Sequence, residues 1–325
     1  MAYQTGTSSN IADLLDKFVL FAADNGWTIN RNATIASGRR ASIQKGSSHF
    51  HFRAFQNEQV SPNGSNSNGR TGLGVTGSDS FNASLEWNVQ PGHPIRSTGN
   101  CYAYMPLVLN TGPFPAYHFF ANGECLFAEL EFQSGMYLRF GCGKLSLYNP
   151  SAGGEGRFFY STGTTGGVTN STASSAWLGV PVWQSSSLEE APFYAEPRPT
   201  ANMGTFLRVV TGAFDTWCGE SATAAGAITP AGCAIIPNNL MAQFMYLAGV
   251  NPLFGNIVHS APSVHIIENT SNQVPVGELS DIRYIDNTNY LPGEEFTIGA
   301  DVWKVFPIYQ KNGRSGTRGI AYRKT

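Results

Sequence analysis

Residues 117–148 read YHFFANGECLFAELEFQSGMYLRFGCGKLSLY, and this stretch decides the expected fold. Two apolar runs meet at Asn122-Gly123, a pair that favours a two-residue type I′ hairpin turn because both residues accept positive φ. After the turn, apolar residues alternate with others, so that the leucines share one face and Glu129 lies on the opposite one. A second alternating run follows Gly135, and period-two alternation indicates a half-buried strand. The stretch therefore predicts a three-stranded antiparallel meander with one face in the core.

The composition agrees with a turn-rich β protein. Charged residues make up 13 % of the chain, about half the usual share of a soluble domain, while 42 % are apolar and 36 are glycine. We expect a mainly β fold of antiparallel sheets, arranged as a β-sandwich or barrel, with an N-terminal amphipathic helix. The length of 325 residues suits one large domain or two moderate ones. If there are two, we place the division between 1–160, with the helix and the meander, and 161–325, a second β-rich region.

Local signals place several other elements. Asn10 is a suitable N-cap for a helix whose apolar residues recur at helical spacing, and Asn25-Gly26 is a suitable end for it. The Gly-, Asn- and Ser-rich segment 61–80 predicts a long flexible loop, and Phe81–Val89 resembles a strand. Near the C-terminus, two short strands joined by a Gly/Asp turn at residues 299–301 predict a hairpin.

The net charge and the spacing of the cysteines limit the classes of function that the protein can have. The net charge of −2 gives no global basic field, so we expect no direct sequence-specific binding of nucleic acid. We find no signal peptide and no uncharged run long enough to span a membrane, and we expect a protein made in a cytoplasm. None of the five cysteines forms a CxxC pair, so the sequence predicts neither a zinc site nor an essential disulfide.

Three motifs could carry chemistry, and each has a more ordinary interpretation. Residues 72–77 read GLGVTG and formally fit a dinucleotide-binding fingerprint, but the expected strand before them and helix after them are missing, so we predict no cofactor. His49 and His51 share one strand face without a recognisable third metal ligand, and we expect surface or hydrogen-bonded histidines. His259 and His265 lie near Glu268, where a hydrogen-bonded structural role is also favoured.

An enzyme such as a glycan hydrolase needs two paired carboxylates, about 5–5.5 Å apart in retaining enzymes. Glu129, Glu131 and Asp215 are the candidates, yet nothing in the sequence pairs them, and we expect Glu129 and Glu131 to face solvent. We therefore predict no catalytic residues and no enzymatic activity.

Both ends of the chain read as polar segments outside clear elements, at residues 1–9 and 310–325. The second is basic, and such a segment has too little apolar surface to order by itself. We predict that it is an inter-subunit arm, with a solvated tail as the alternative. The candidate arm residues are Arg314, Arg318, Arg323 and Lys324.

Three segments together resemble a known family. They are the helix and Asn-Gly-Trp of residues 14–27, the YHFF and YLRFGCGKL runs within residues 117–145, and the WKVFP and GIAYRK runs within residues 303–324. This arrangement is similar to virion structural proteins of tailed bacteriophages, of the kind associated with the neck or tail.

The resemblance implies a structural subunit of a phage particle, most simply a component of a neck, collar or tail ring. It implies a homo-oligomeric ring that also contacts other virion proteins, a final location in the virion, and no cofactor. The low charge and the aromatic share of 12 % also suit extensive buried interfaces. The alternative is a baseplate or receptor-binding protein whose Gly-, Ser- and Asn-rich loops contact the host surface.

Overall fold

A computed structural model describes residues 1–58, 70–96, 99–106, 112–149, 156–161, 165–167, 205–211, 214–218, 232–237, 262–267, 273–286, 290–307 and 318–325. Within these residues the chain has one helix, α1 (Ile11–Asp24), among many strands. In chain order the strands are β1 (Ala2–Ser8), β2 (Thr28–Ile35), β3 (Gly38–Lys45), β4 (Ser48–Glu58), β5 (Arg70–Ser78), β6 (Ile95–Arg96), β7 (Gly99–Pro106), β8 (Phe114–Ala121), β9 (Cys125–Gln133), β10 (Met136–Lys144), β11 (Ser146–Leu147), β12 (Arg157–Ser161), β13 (Thr165–Gly167), β14 (Thr205–Thr211), β15 (Phe214–Cys218), β16 (Gly232–Pro237), β17 (Pro262–Ile267), β18 (Gln273–Glu278), β19 (Ile282–Asp286), β20 (Glu295–Ile298), β21 (Asp301–Pro307) and β22 (Arg318–Arg323).

These strands form four sheets. The central sheet has the order β1-β8-β9-β10-β12-β14-β15, and the N-terminal sheet has the order β13-β7-β5-β4-β3-β2, with β6 beside β7. The C-terminal sheet has the order β19-β22-β21-β20, and a small sheet has the order β11-β18-β17-β16. The neighbouring strands in these sheets run antiparallel. The predicted mainly β fold with a helix near the N-terminus is therefore confirmed.

Helix α1 begins and ends at the residues that the sequence indicated. The Asn10 side chain accepts hydrogen bonds from the backbone N–H groups of Ala12 (2.9 Å) and Asp13 (3.0 Å), which stabilises the first turn. The helix ends before Asn25, and Gly26 follows with a φ of 79°, a left-handed conformation that glycine accepts without steric penalty. The capping residues thus define both boundaries.

The central sheet is a middle layer with a hydrophobic core on each face. On one face it packs with α1 and the N-terminal sheet, and the ring of Phe18 lies 5.3 Å from Phe119, 4.8 Å from Phe140 and 5.4 Å from Phe52 between ring centroids. On its other face it packs with the C-terminal sheet, where the Phe120 ring stacks on Tyr322 at 4.8 Å. Burial of these rings favours the packing of the layers.

The predicted meander is confirmed as β8, β9 and β10, but two details of the prediction are wrong. Ala121 pairs with Leu126, so four residues lie between the paired positions that close the turn rather than two. The Asn122 side chain accepts the N–H groups of Glu124 and Cys125 inside this longer turn. Both faces of the meander are buried rather than one, because the C-terminal sheet covers the face that was expected to meet solvent.

Two local predictions between residues 61 and 89 are also wrong. Residues 70–78 form β5 inside the N-terminal sheet, whereas a flexible loop was expected; residues 61–69 lie outside the described part. The reason is tertiary packing, since a Cβ on Gly74 would lie 2.6 Å from the Trp87 ring and one on Gly77 would lie 2.4 Å from the Trp217 ring. Phe81–Val89 consists of turns rather than a strand.

The central sheet and the N-terminal sheet each contain strands from both sides of residue 160. Strands β14 and β15 extend the central sheet beyond β12, and β13 pairs with β7 in the N-terminal sheet. A division of the chain at residue 160 would therefore cut through two sheets. Within the described part of the chain, no helix has the length and apolar character that crossing a membrane requires.

Candidate functional site: buried ion pairs between the sheets

Three of the four predicted arm residues lie in or beside a paired strand. Arg318 and Arg323 belong to β22, which lies between β19 and β21, and Lys324 follows directly. Arg314 and the side chain of Arg318 fall outside the described residues. The expectation that residues 310–325 lie outside clear elements is therefore wrong for 318–323, as it is for residues 2–8, which form β1 beside β8. The inter-subunit role of the arm stays a prediction.

The described cations of this segment bind carboxylates of the same chain. Arg323 forms an ion pair with Asp281, whose side chain is 5 % exposed, and its Nη1 lies 3.7 Å from Asp301 Oδ2. Lys324 Nζ lies 3.1 Å from Glu295 Oε1, and Lys304 Nζ lies 3.2 Å from the same oxygen. Burial alone would raise the pKa of Glu295, but the hydrogen bonds from the two lysines lower it.

The same lysines bring β1 to the C-terminal sheet. Lys324 Nζ lies 5.2 Å and Lys304 Nζ lies 5.7 Å from the centroid of the Tyr3 ring, which are cation–π distances. The Tyr3 hydroxyl also lies 2.9 Å from His118 Nδ1 on β8. Both ends of the described chain thus meet around one tyrosine.

A fully buried ion pair lies between the central and C-terminal sheets. Glu129 Oε1 on β9 accepts a hydrogen bond from Arg139 Nε on β10 at 2.7 Å, and the two side chains are 0 % and 4 % exposed. Arg139 Nη2 donates to the carbonyl of Pro307 at 2.9 Å, and the Tyr322 hydroxyl donates to Glu129 Oε1 at 2.8 Å. Two residues of the central sheet therefore hold both β21 and β22.

The expectation that Glu129 faces solvent is wrong, because its side chain is buried. Its strand face is the one that the C-terminal sheet covers, and alternation along β9 alone does not reveal a covering layer. Burial raises the pKa of Glu129, although the charge of Arg139 and the hydrogen bonds from Arg139 and Tyr322 oppose this shift. Burial also raises the pKa of Tyr322 well above its usual value, which keeps its hydroxyl a hydrogen-bond donor.

Glu131 and Asp215 are the other candidate carboxylates. Glu131 is partly exposed, and its Oε1 accepts the N–H of Gly135 at 2.7 Å in the β9–β10 turn. Asp215 is in β15, but its side chain lies outside the described residues.

A second ionic cluster joins the N-terminal and central sheets. Asp79, at the end of β5, lies 2.7 Å from Arg157 Nη2 and 3.2 Å from Arg208 Nε, and both arginines are buried strand residues of the central sheet. Arg157 also donates to the carbonyl of Ser78 at 2.6 Å. Burial alone would raise the pKa of Asp79, but the hydrogen bonds from Arg208 and Arg157 lower it. This cluster links the end of β5 to β12 and β14.

Of the two histidines His49 and His51, the hydrogen bonds of His51 explain its position. The His51 ring is buried between two hydroxyls, with Nδ1 2.9 Å from Ser42 Oγ and Nε2 2.7 Å from Ser78 Oγ, which confirms the hydrogen-bonded interpretation for this residue. Burial lowers the pKa of His51 to about 3, so its imidazole stays neutral. Among the described residues, no group of three His, Cys, Asp or Glu side chains could hold a metal ion. His259, Glu268 and the side chain of His265 lie outside the described residues.

Two cysteine thiols are described, and both lie in the protein interior. Cys125 and Cys142 are buried and free, and burial raises the pKa of Cys125 to about 12 and that of Cys142 well above its usual value. The side chains of the other three cysteines lie outside the described residues.

An open cavity of about 440 Å³ lies beside Cys125, where the β8–β9 turn meets the turn after β18. Its charged side chains are Glu124, Lys144, Glu278 and Asp281. Asp281 is already bound by Asn122 and Arg323 of the same chain. The charges are mixed in sign and do not form a recognisable catalytic arrangement.

No protein-family model matches this chain, and no curated protein matches it significantly. Only Arg323 and Lys324 of the predicted site residues have described side chains, and both belong to ion pairs. The sequence analysis did not predict the buried ion pair of Glu129 and Arg139. Its one signal in the sequence was a pair of opposite charges on facing strands of the meander.

Proposed function

We propose that the chain is a structural subunit of a tailed bacteriophage particle, most simply of a neck, collar or tail ring. It would be made in the host cytoplasm and assemble into the virion with copies of itself and with other virion proteins. The resemblance of residues 14–27, 117–145 and 303–324 to virion structural proteins supports the proposal.

The observation that carries this proposal is the use of ion pairs as ties between layers. Glu129 and Arg139, both buried, hold the C-terminal sheet on the central one. The buried Arg157 and Arg208 bind Asp79, whose side chain is 41 % exposed, and so tie the N-terminal sheet to the other side. A buried pair contributes little net stability compared with apolar packing, but breaking it is unfavourable, so it favours one relative position of the groups it joins. A subunit that transmits force inside a particle benefits from layers fixed in this way.

The experiment is to find the protein in particles. A short peptide tag placed after the exposed Thr325 would be detected by gold-labelled antibody in electron micrographs of purified particles. We expect several labels per particle, at the neck or along the tail. Cells in which production of the chain is suppressed should accumulate particles without complete tails.

The position of the label separates the alternatives. Labels at the tail tip, with intact particles that fail to adsorb to host cells, would favour a baseplate or receptor-binding protein. Particles that contain none of the protein, and that assemble normally when it is suppressed, would refute a structural role in the virion. An untagged chain followed by mass spectrometry of the same particles controls for interference from the tag.

A further inference from the structure

Two Asn-Gly pairs of the described residues have different surroundings. The chain contains five such pairs, and Asn25-Gly26 and Asn122-Gly123 are the two that lie in the described part. Asparagine is a thermolabile residue, because the backbone nitrogen of the next residue can attack its side-chain carbonyl carbon and release ammonia. Glycine in the next position favours this attack, since it has no Cβ to hinder the approach. The two pairs therefore allow a comparison within one chain.

The pair at the end of α1 is held by hydrogen bonds. Gly26 N–H donates to the Ala23 carbonyl at 3.0 Å, and Asn25 Nδ2 donates to the Phe21 carbonyl at 2.8 Å. An attack of the Gly26 nitrogen on Asn25 would break the first of these bonds and turn the amide away from its partner. Because each lost hydrogen bond is unfavourable, we expect this pair to be protected in the folded chain.

The glycine of the second pair lies in an open part of the turn between β8 and β9. Within the described residues, the N–H of Gly123 makes no hydrogen bond, and a Cβ placed on this glycine would have no atom within 4 Å. Gly123 and its neighbour Glu124 are both exposed. The nitrogen of Gly123 can therefore approach Cγ of Asn122 without first losing a hydrogen-bond partner.

The side-chain amide of Asn122 has partners at both of its polar atoms. Its Oδ1 accepts the N–H of Glu124 at 2.8 Å and that of Cys125. Negative charge develops on this oxygen when a nitrogen attacks Cγ, and donors already directed at it stabilise that charge. Its Nδ2 donates to Asp281, whose side chain is 5 % exposed. A carboxylate at this position favours the ammonium that forms when Nδ2 leaves and takes up a proton.

We propose that Asn122 is a site of spontaneous deamidation in the folded protein. The nitrogen of Gly123 gives its proton to solvent water, and its lone pair forms a bond to Cγ of Asn122. The Cγ–Nδ2 bond then breaks, its electron pair stays on Nδ2, and Nδ2 takes up a proton and leaves as ammonia. A water molecule opens the cyclic imide at one of its two carbonyl carbons, which gives aspartate or isoaspartate at residue 122.

The product places a second carboxylate beside Asp281. The amide donor to Asp281 is lost, and two like charges at a site that is almost fully buried repel each other. Asp281 directly precedes β19 and also binds Arg323 of β22, so the change should weaken the contact between the β8–β9 turn and the C-terminal sheet. This inference concerns the isolated chain and does not depend on a place in a virion.

The test is peptide mapping by mass spectrometry of the wild-type chain after incubation at neutral pH, folded or unfolded in guanidinium chloride. Folding should slow deamidation at Asn25 about tenfold, as expected when one hydrogen bond must break first, and should leave the rate at Asn122 close to its unfolded rate or above it. If folding slows Asn122 as much as Asn25, the proposal is wrong. Isoaspartate at residue 122 would identify the cyclic imide, whereas aspartate alone would refute the attack by Gly123.

A variant of the attacking residue gives a matched control. Gly123→Ala adds a methyl group where there is free space, so the fold should be kept while the approach of the nitrogen is hindered. Deamidation at Asn122 should then fall severalfold, and that at Asn25 should not change. An unchanged rate at Asn122 in this variant would overturn the proposal.

The effect on the sheet contact is measured by thermal unfolding of two further variants. Asn122→Asp represents the product, and Asn122→Ser removes the amide donor without adding a charge. The aspartate variant should unfold at the lower temperature, and the difference should shrink when Asp281→Asn is present in both chains. Equal unfolding temperatures of the two variants would refute the weakened contact, while peptide mapping of the wild type decides the modification itself.

Discussion

Replacing Glu129 with leucine should leave the guanidinium of Arg139 buried without its counter-ion. The carboxylate is fully buried and the arginine side chain is 4 % exposed, so water cannot compensate for the lost partner. Breaking a buried pair from one side destabilises proteins by about 3–5 kcal/mol, and we expect about 4 kcal/mol for Glu129→Leu.

Removing both charges should be less damaging than removing one. In Glu129→Leu combined with Arg139→Met, no charge remains buried, and the residual loss is one hydrogen bond at the Tyr322 hydroxyl and one at the Pro307 carbonyl. At about 1 kcal/mol for each hydrogen bond, the double variant should be destabilised by about 2 kcal/mol. The second substitution should therefore restore about 2 kcal/mol of the free energy of unfolding that the first removes.

Urea unfolding of the three chains, with free energies extrapolated linearly to water, measures this difference. Glu124→Leu in the adjacent turn is the matched control, because Glu124 is exposed and should change stability by less than about 0.5 kcal/mol. If the double variant is as unstable as Glu129→Leu, or less stable, the pair does not act as a coupled buried tie. Equal slopes in urea are needed for the comparison, since a changed slope indicates a change in the unfolded state.

Deleting residues 318–325 should unfold the C-terminal sheet rather than free an arm, because β22 lies between β19 and β21; limited proteolysis should cut the truncated chain much faster than the full chain. His51 should make folding sensitive to acid, since burial lowers its pKa to about 3 and only the unfolded chain takes up the proton near pH 6. Its contribution is complete above pH 7 and about 2 kcal/mol is lost by pH 5, a loss that urea titrations of His51→Gln should not show. Cys125 and Cys142 should react with thiol reagents only after unfolding, as peptide mapping of the labelled native and unfolded chains would reveal.

The sequence predicted those elements whose signals are local. Asn10 and Gly26 mark the ends of α1 because capping depends on a few neighbouring residues. The meander could be predicted for the same reason, because its alternating apolar residues and its turn residues lie within one short stretch of sequence. The β20–β21 hairpin likewise follows from residues close together in the chain.

The sequence did not reveal features that depend on distant residues. Gly74 and Gly77 indicate a loop when only the neighbouring sequence is considered. Their position in a strand depends on Trp87 and Trp217, which occupy the space beside them. Glu129 resembles a surface residue because the sheet that covers it is formed by strands more than 150 residues later. The buried ties could not be predicted, because they require knowing which layers face each other.

The position of β22 also has a consequence for the order of events during translation. Strands β19 and β21 are synthesised first, yet neither pairs with the other in the finished sheet, because β22 lies between them. Until β22 leaves the ribosome, the outer face of the central sheet, with Phe127, Glu129 and Arg139, has no complete cover. Apolar surface exposed in this way promotes aggregation of partly folded chains. A nascent chain stalled between β21 and β22 should therefore bind chaperones more strongly than the chain that has completed β22.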